Sequence, residues 1–145
     1  MALPSSETLH VSSVAIGGRA VLIEGASGMG KSDLALRLID RGATLISDDY
    51  TLLTRVEGAL VASAPATIAG RIEIRGLGIV PLPHTDSAPV ALAVRLSDAP
   101  ERLPMGEDVR RIAGVGIRSV AIDARSASAP IKVELALKHL CGAAT

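Results

Sequence analysis

An α/β fold, built as a mainly β sheet around one strand–loop–helix unit, is predicted by three observations in the sequence. Short apolar runs broken by Gly and Pro recur along most of the chain, as strands do. Two tight-turn pairs, Gly17-Gly18 and Glu57-Gly58, lie between such runs and mark hairpins. Between these hairpins, Lys31 to Asp40 spaces Leu34, Leu38 and Ile39 as one face of a helix.

Taken in order, His10 to Ile16 (HVSSVAI) and Arg19 to Glu24 (RAVLIE) are the two strands of the first hairpin. The helix of Lys31 to Asp40 follows, and Gly42 is placed to end it. Thr44 to Ser47 (TLIS) is a short strand running into Asp48-Asp49, and Thr51 to Ala64 is the second hairpin. Pro65 to Leu82, rich in Gly, reads as structured loop with short strands, and Pro83 to Pro89 as the most linker-like stretch. Pro89 to Leu96 is a buried strand, Pro100 to Asp108 a loop, and Val115 to Asp123 contains another strand. Ser128 can cap a last helix with Pro130 in its first turn and Gly142 past its end. No internal repeat interrupts this order, and residues 1–145 fit a single domain.

Composition limits what such a domain does. Hydrophobic residues make up 48% of the chain, yet Phe and Trp are absent and Tyr50 is the only aromatic, so Ala, Val, Leu and Ile must fill the core. Fifteen Lys and Arg balance fifteen Asp and Glu. That balance argues against general attraction to nucleic acid or an anionic membrane, and the scarcity of rings argues against base stacking. The opening MALPSSETLH lacks the basic and apolar regions of a signal peptide. No apolar run approaches the roughly 20 residues of a membrane helix, so a cytoplasmic protein is expected. The single cysteine, Cys141, argues against a disulfide framework and reads as a packing residue.

The chemistry is concentrated at Gly25, Ala26, Ser27, Gly28, Met29, Gly30, Lys31 and Ser32, which match the full phosphate-loop spacing GxxxxGKS. Glycine lets the backbone turn its N–H groups inward around a phosphate. Lys31 adds a positive charge for the β- and γ-phosphates, Ser32 offers a hydroxyl to Mg²⁺, and the helix that starts here points its positive end at the anion. The motif needs a strand before it and a helix after it, and AVLIE and DLALRLID supply both. Nucleotide binding is the expectation.

Three apolar segments end in Asp, at Asp48-Asp49, Asp98 and Asp123. The Asp48-Asp49 strand directly follows the phosphate-loop helix, so a right-handed crossover returns it beside the loop strand. Two adjacent carboxylates are costly unless a cation or proton compensates them, which marks this pair as functional. Asp98 and Asp123 read as turn and cap residues. A lone His10 and the charged run Arg71–Arg75 around Glu73 are not resolved by pattern alone.

With these residues in view, the chain resembles the catalytic domain of the HPr kinase/phosphorylase family from about His10 onward. The most specific piece is RIEIRGLGI, Arg71 to Ile79, with RGATLISDD, Arg41 to Asp49, beside it. The resemblance implies a compact form lacking the family's N-terminal domain. It implies an ATP- and Mg²⁺-dependent serine kinase acting on HPr, the small phosphocarrier of the phosphotransferase system, and assembly as a homo-hexamer. It implies catalytic roles for His10 and Lys31, with Asp49 accepting the serine proton and Asp48 supporting it. Ser32 and Glu73 would hold Mg²⁺, and the Gly-rich segment to Pro81 would shape the site. Where the family has two arginines, one of them catalytic, GVGIRSVAID keeps Arg118 as the candidate, with Val115 in the place of the other. The late segment that the reverse, phosphorylase reaction needs matches poorly.

Two other readings stand beside this one. A small-molecule kinase would carry an arginine-rich lid, against which the short, proline-rich Pro83 to Glu107 speaks. A nucleotide-sensing module that no longer transfers phosphate draws support from the lost arginine.

Overall fold

A computed structural model describes residues 5–103 and 106–142. The chain runs β1 (Ser6–Leu9), β2 (Val11–Ile16), β3 (Arg19–Glu24), α1 (Lys31–Asp40), β4 (Thr44–Ser47), β5 (Thr51–Val56), β6 (Ala59–Ser63), β7 (Arg71–Ile74), β8 (Gly78–Pro81), β9 (Ser87–Leu96), β10 (Asp108–Ile112), β11 (Val115–Ile122) and α2 (Ala129–Leu140). Nine strands form one sheet in the order β1-β5-β6-β9-β3-β2-β4, with β11 also on β9 and β10 on β11. β7 and β8 form a separate two-stranded ribbon.

Three parallel strands, β3, β9 and β11, make the centre, and the other pairings are antiparallel. Because side chains alternate across a strand, β3 feeds two cores at once. Val21 and Ile23 join Leu34, Leu38, Val133 and Leu137 under the two helices. Ala20 and Leu22 join Leu53, Leu60, Ile112 and Ile117 on the opposite face. A strand buried on both faces reads as a continuous apolar run, which is why AVLI is unbroken.

The two hairpins form as predicted. Gly17 and Gly18 both have positive φ, the backbone of a two-residue turn that only Gly adopts freely, and Ile16 pairs Arg19 across it. The helix over Lys31–Asp40 matches its predicted limits, and Gly42 donates to the Ile39 carbonyl at its end. Three expectations are corrected. β4 does not return beside β3, because β2 lies between them and pairs with both. The linker-like Pro83 to Pro89 is pinned: the Thr85 N–H donates to the Leu45 carbonyl, and Ser87 to Pro89 are already strand, paired with β6. Ser128 occupies the position before α2 without a side-chain cap, since its hydroxyl bonds Ser126.

Two strands escaped the sequence reading. β1 precedes His10 and pairs β5. β10 lies at the end of the expected Pro100–Asp108 loop and beyond it, turning into β11 at Ala113-Gly114. Met1 to Pro4 of the opening segment, and Pro104 and Met105 of that loop, lie outside the described residues.

Candidate active site

The carboxyl ends of β3 and β4 and the amino end of β2 meet at one edge of the sheet. The hairpin register causes this directly. Val11 pairs Glu24, so His10, one residue earlier, faces Gly25, the first residue of the phosphate loop. β4 pairs β2 from the other side, with Ser47 opposite Ser13, so Asp48 and Asp49 emerge beside His10. Phosphate loop and both carboxylates therefore share a cleft of about 760 Å³, to which β7 and its turn add Glu73 and Arg75, while His10 reaches it only through Asp49.

The loop is built as its sequence implies. The Met29 N–H donates to the Ala26 carbonyl, and Gly30 takes a φ of 99° at the start of α1. An L side chain at that φ would be strained, which accounts for Gly there. Lys31 is buried, with Nζ donating to the carbonyls of Gly25 at 2.8 Å and Ala26 at 3.5 Å. The ammonium is thus held over the loop, at the mouth of the helix.

Asp48 is buried, and three donors converge on it. Ser32 Oγ donates to Oδ1 at 2.6 Å, Ser12 Oγ to the same oxygen at 3.1 Å, and the Glu73 N–H to Oδ2 at 2.9 Å. Such a buried carboxylate is tolerated because each donor replaces lost water. It ties together β2, α1 and β7, the three elements that frame the cleft.

Asp49 is different. Its backbone is left-handed, with φ of 67°, and the Ser12 hydroxyl accepts its N–H at 3.0 Å. Strained backbone of this kind concentrates at functional sites. Its side chain is half exposed, and Oδ1 lies 2.6 Å from His10 Nε2. The His10 ring stacks on Tyr50, centroids 4.8 Å apart, which fixes the plane of the imidazole. The pair lies at the rim, where an acceptor group can reach it.

The sequence-derived site residues are thus mostly brought together: Ser27, Gly28, Gly30, Lys31, Ser32, Asp48, Asp49 and Glu73 line one cleft, with His10 on Asp49, while Gly25, Ala26 and Met29 of the loop do not line it. Arg118 is not among them. It sits on β11 level with Leu92, four residues before the end of β9, and pairs with Glu107 at 3.1 Å. Ser12 was missed, because a serine inside an apolar strand gives no sign of which hydrogen bonds it makes. Arg75, whose role the charged run does not reveal by pattern, lines the cleft.

For a metal, the donor set is all oxygen: the Ser32 hydroxyl, the Asp48 carboxylate touching it, and Glu73 across the cleft. Hard oxygen donors near a phosphate loop suit Mg²⁺, which keeps water and phosphate oxygens among its ligands. Among the described residues no three His, Cys, Asp or Glu side chains form a ready cage.

The comparisons fit this geometry. The chain is 34% identical over 129 residues to the HPr kinase/phosphorylase of Clostridium tetani, covering 81% of this chain and 42% of that protein. It is 43% identical over 75 residues to the HPr kinase/phosphorylase of Clostridium acetobutylicum, covering 52% of this chain and 25% of that one. The chain thus spans less than half the length of these curated relatives. The solved HPr(Ser) kinase/phosphatase of Coxiella burnetii superposes with a TM-score of 0.80 at 27% identity, covering 92% of this chain and 95% of that chain. The family model for the HPr Serine kinase C-terminal domain matches residues 1–139, and the chain belongs to that family.

Proposed function

We propose that this chain is a single catalytic domain that transfers the γ-phosphoryl of ATP to a serine of an HPr-like phosphocarrier protein, with Mg²⁺. The observation that carries the reading is Asp49, held by His10 at 2.6 Å at the rim of a phosphate-loop cleft. A nucleotide-binding module needs the loop, but it has no use for a strained, exposed carboxylate beside it. The names of the relatives supply the acceptor, HPr.

In this reading the loop N–H groups and Lys31 hold the β- and γ-phosphates. Ser32, Asp48 and Glu73 would hold Mg²⁺, which supplies charge neutralisation on the transferred group. Asp49 takes the proton of the serine hydroxyl as its oxygen bonds to phosphorus and ADP departs. His10 keeps Asp49 oriented, and Tyr50 keeps His10 in plane. Most of the rate comes from positioning and electrostatics. Arg118 stands too far back on β11 for a role within its own cleft, whereas Arg75 lines the cleft and would add positive charge for the phosphates. Leu77 and Ile79, exposed on the β7–β8 ribbon beside the cleft, suit a protein acceptor better than a small molecule. A cytoplasmic location and self-association into a hexamer belong to the same reading. Among the described residues no helix is long and apolar enough to cross a membrane.

Incubation with γ-labelled ATP, Mg²⁺ and purified HPr tests it. Acid-stable label on an HPr serine is expected. Tight ATP binding with no label on HPr would leave the sensor reading in its place. Lys31→Ala should weaken ATP binding and transfer together, read by calorimetry and by the same assay.

A further inference from the structure

The phosphate loop has a second flank. Opposite the acidic cleft, and meeting it at Gly28, is a hollow of about 230 Å³ at the carboxyl ends of β9 and β11. Its wall is made by Met29, Leu96, Asp98, Asp123 and Arg125. In sheets of this kind, ligands bind outside the carboxyl ends of parallel strands. The hollow is smaller than a complete small-molecule site, so it suits one part of a ligand whose remainder lies elsewhere.

The two flanks divide by chemistry. The large cleft holds Lys31, Ser32, Asp48 and Asp49, and it must receive the γ-phosphate and the acceptor together. The far end of the nucleotide then leaves the loop in the other direction, over Gly28. The hollow there carries two carboxylates, Asp98 and Asp123, which repel phosphate and accept hydrogen bonds from hydroxyls. It also carries apolar surface from Met29, Leu96 and the nearby Ala124.

Arg125 is arranged for a flat partner. Asp123 grips its guanidinium through two bonds, Nε to Oδ1 and Nη2 to Oδ2, both 3.1 Å, and accepts the Arg125 N–H at 2.9 Å. Those bonds hold the Asp123 carboxyl below the usual carboxylate range, so the grip persists in mild acid. A planar cation fixed at its edge leaves its faces open for stacking. The chain's only aromatic side chain besides histidine, Tyr50, is committed to His10 at the other flank. Arginine and the Met29 thioether are the groups left for a base to lie against.

We propose that this hollow is the nucleoside subsite: a purine base stacks on the Arg125 guanidinium beside Met29, and Asp98 accepts from the ribose hydroxyls. The proposal rests on the nucleotide reading above and deepens it.

Calorimetry with Mg·ATP and with Mg·tripolyphosphate, which has the phosphates but no nucleoside, tests it. The wild-type protein should bind ATP about tenfold more tightly than tripolyphosphate, the scale of one stacked cation. Arg125→Ala should erase most of that difference while leaving tripolyphosphate within twofold. Arg125→Lys, which keeps the charge and loses the plane, should behave like Arg125→Ala. Unchanged ATP affinity in either variant, or equal weakening of both ligands, would overturn the subsite. Equal wild-type affinity for the two ligands would also overturn it, while sparing the phosphate-loop reading. Failure of the wild type to bind either ligand would overturn both.

Discussion

Asp48 and Asp49 are adjacent in sequence and opposite in circumstance. Asp48 is buried and accepts three hydrogen bonds, so its task is to hold Ser12, Ser32 and Glu73 in register. Asp48→Ala removes the acceptor of two hydroxyls and one N–H, and should cost about 1–3 kcal/mol in denaturant unfolding. Asp49 is half exposed and strained, so its substitution should act on rate instead. His10→Ala removes the group that orients Asp49, and should lower transfer by about tenfold to a hundredfold with ATP affinity held, measured by initial rates and calorimetry. The placement of His10, on which its proposed role rests, is hidden in the residue itself but present in the hairpin. A two-residue turn at Gly17-Gly18 fixes the register, and that register sets His10 against Gly25. Arg118 was the opposite case: its motif pointed to the site, while its strand position carries it away.

Elements with strong local signals were legible, and those defined by distant partners were not. Phosphate loop, α1 and both Gly-turn hairpins follow from spacing and turn chemistry alone. β1 and β10 are edge strands with mixed polar faces, and only pairing with β5 and β11 makes them strands. The turn at Glu57-Gly58 retains a local cost, because Glu57 sits at φ 51° where a Cβ is disfavoured. Glu57→Asn should therefore raise stability by about 0.5–1 kcal/mol, seen as a melting point higher by a few degrees. At the end of α2, burial pushes the Cys141 thiol up from its ordinary value, and the sulfur donates to the Ala91 carbonyl at 3.2 Å. A raised thiol is less ionised at any neutral pH, so Cys141 should alkylate with iodoacetamide more slowly than a free cysteine at pH 8. Raising the pH should narrow that gap.

Across the whole molecule, the sheet is an instrument for bringing chain ends to one edge. Parallel β3, β9 and β11 end there, β4 ends there, and β2 begins there. The α/β class was legible because apolar runs and one helical period announce it. The strand order was not, because nothing local says that β2 separates β4 from β3 or that β9 takes β3, β6 and β11 as neighbours. With that order in place, the phosphate loop and Asp49 line one cleft, the arrangement on which the proposed transfer to an HPr serine rests. The most direct measurement is phosphoryl transfer from ATP to HPr by wild type and by Asp49→Asn, with ATP affinity measured on both. Asn keeps the shape and the bond from His10 but loses the base. The expected result is serine-linked label with wild type, a loss of about a hundredfold or more with Asp49→Asn, and matching ATP affinities. Near-normal transfer by Asp49→Asn would contradict the assignment of this cleft.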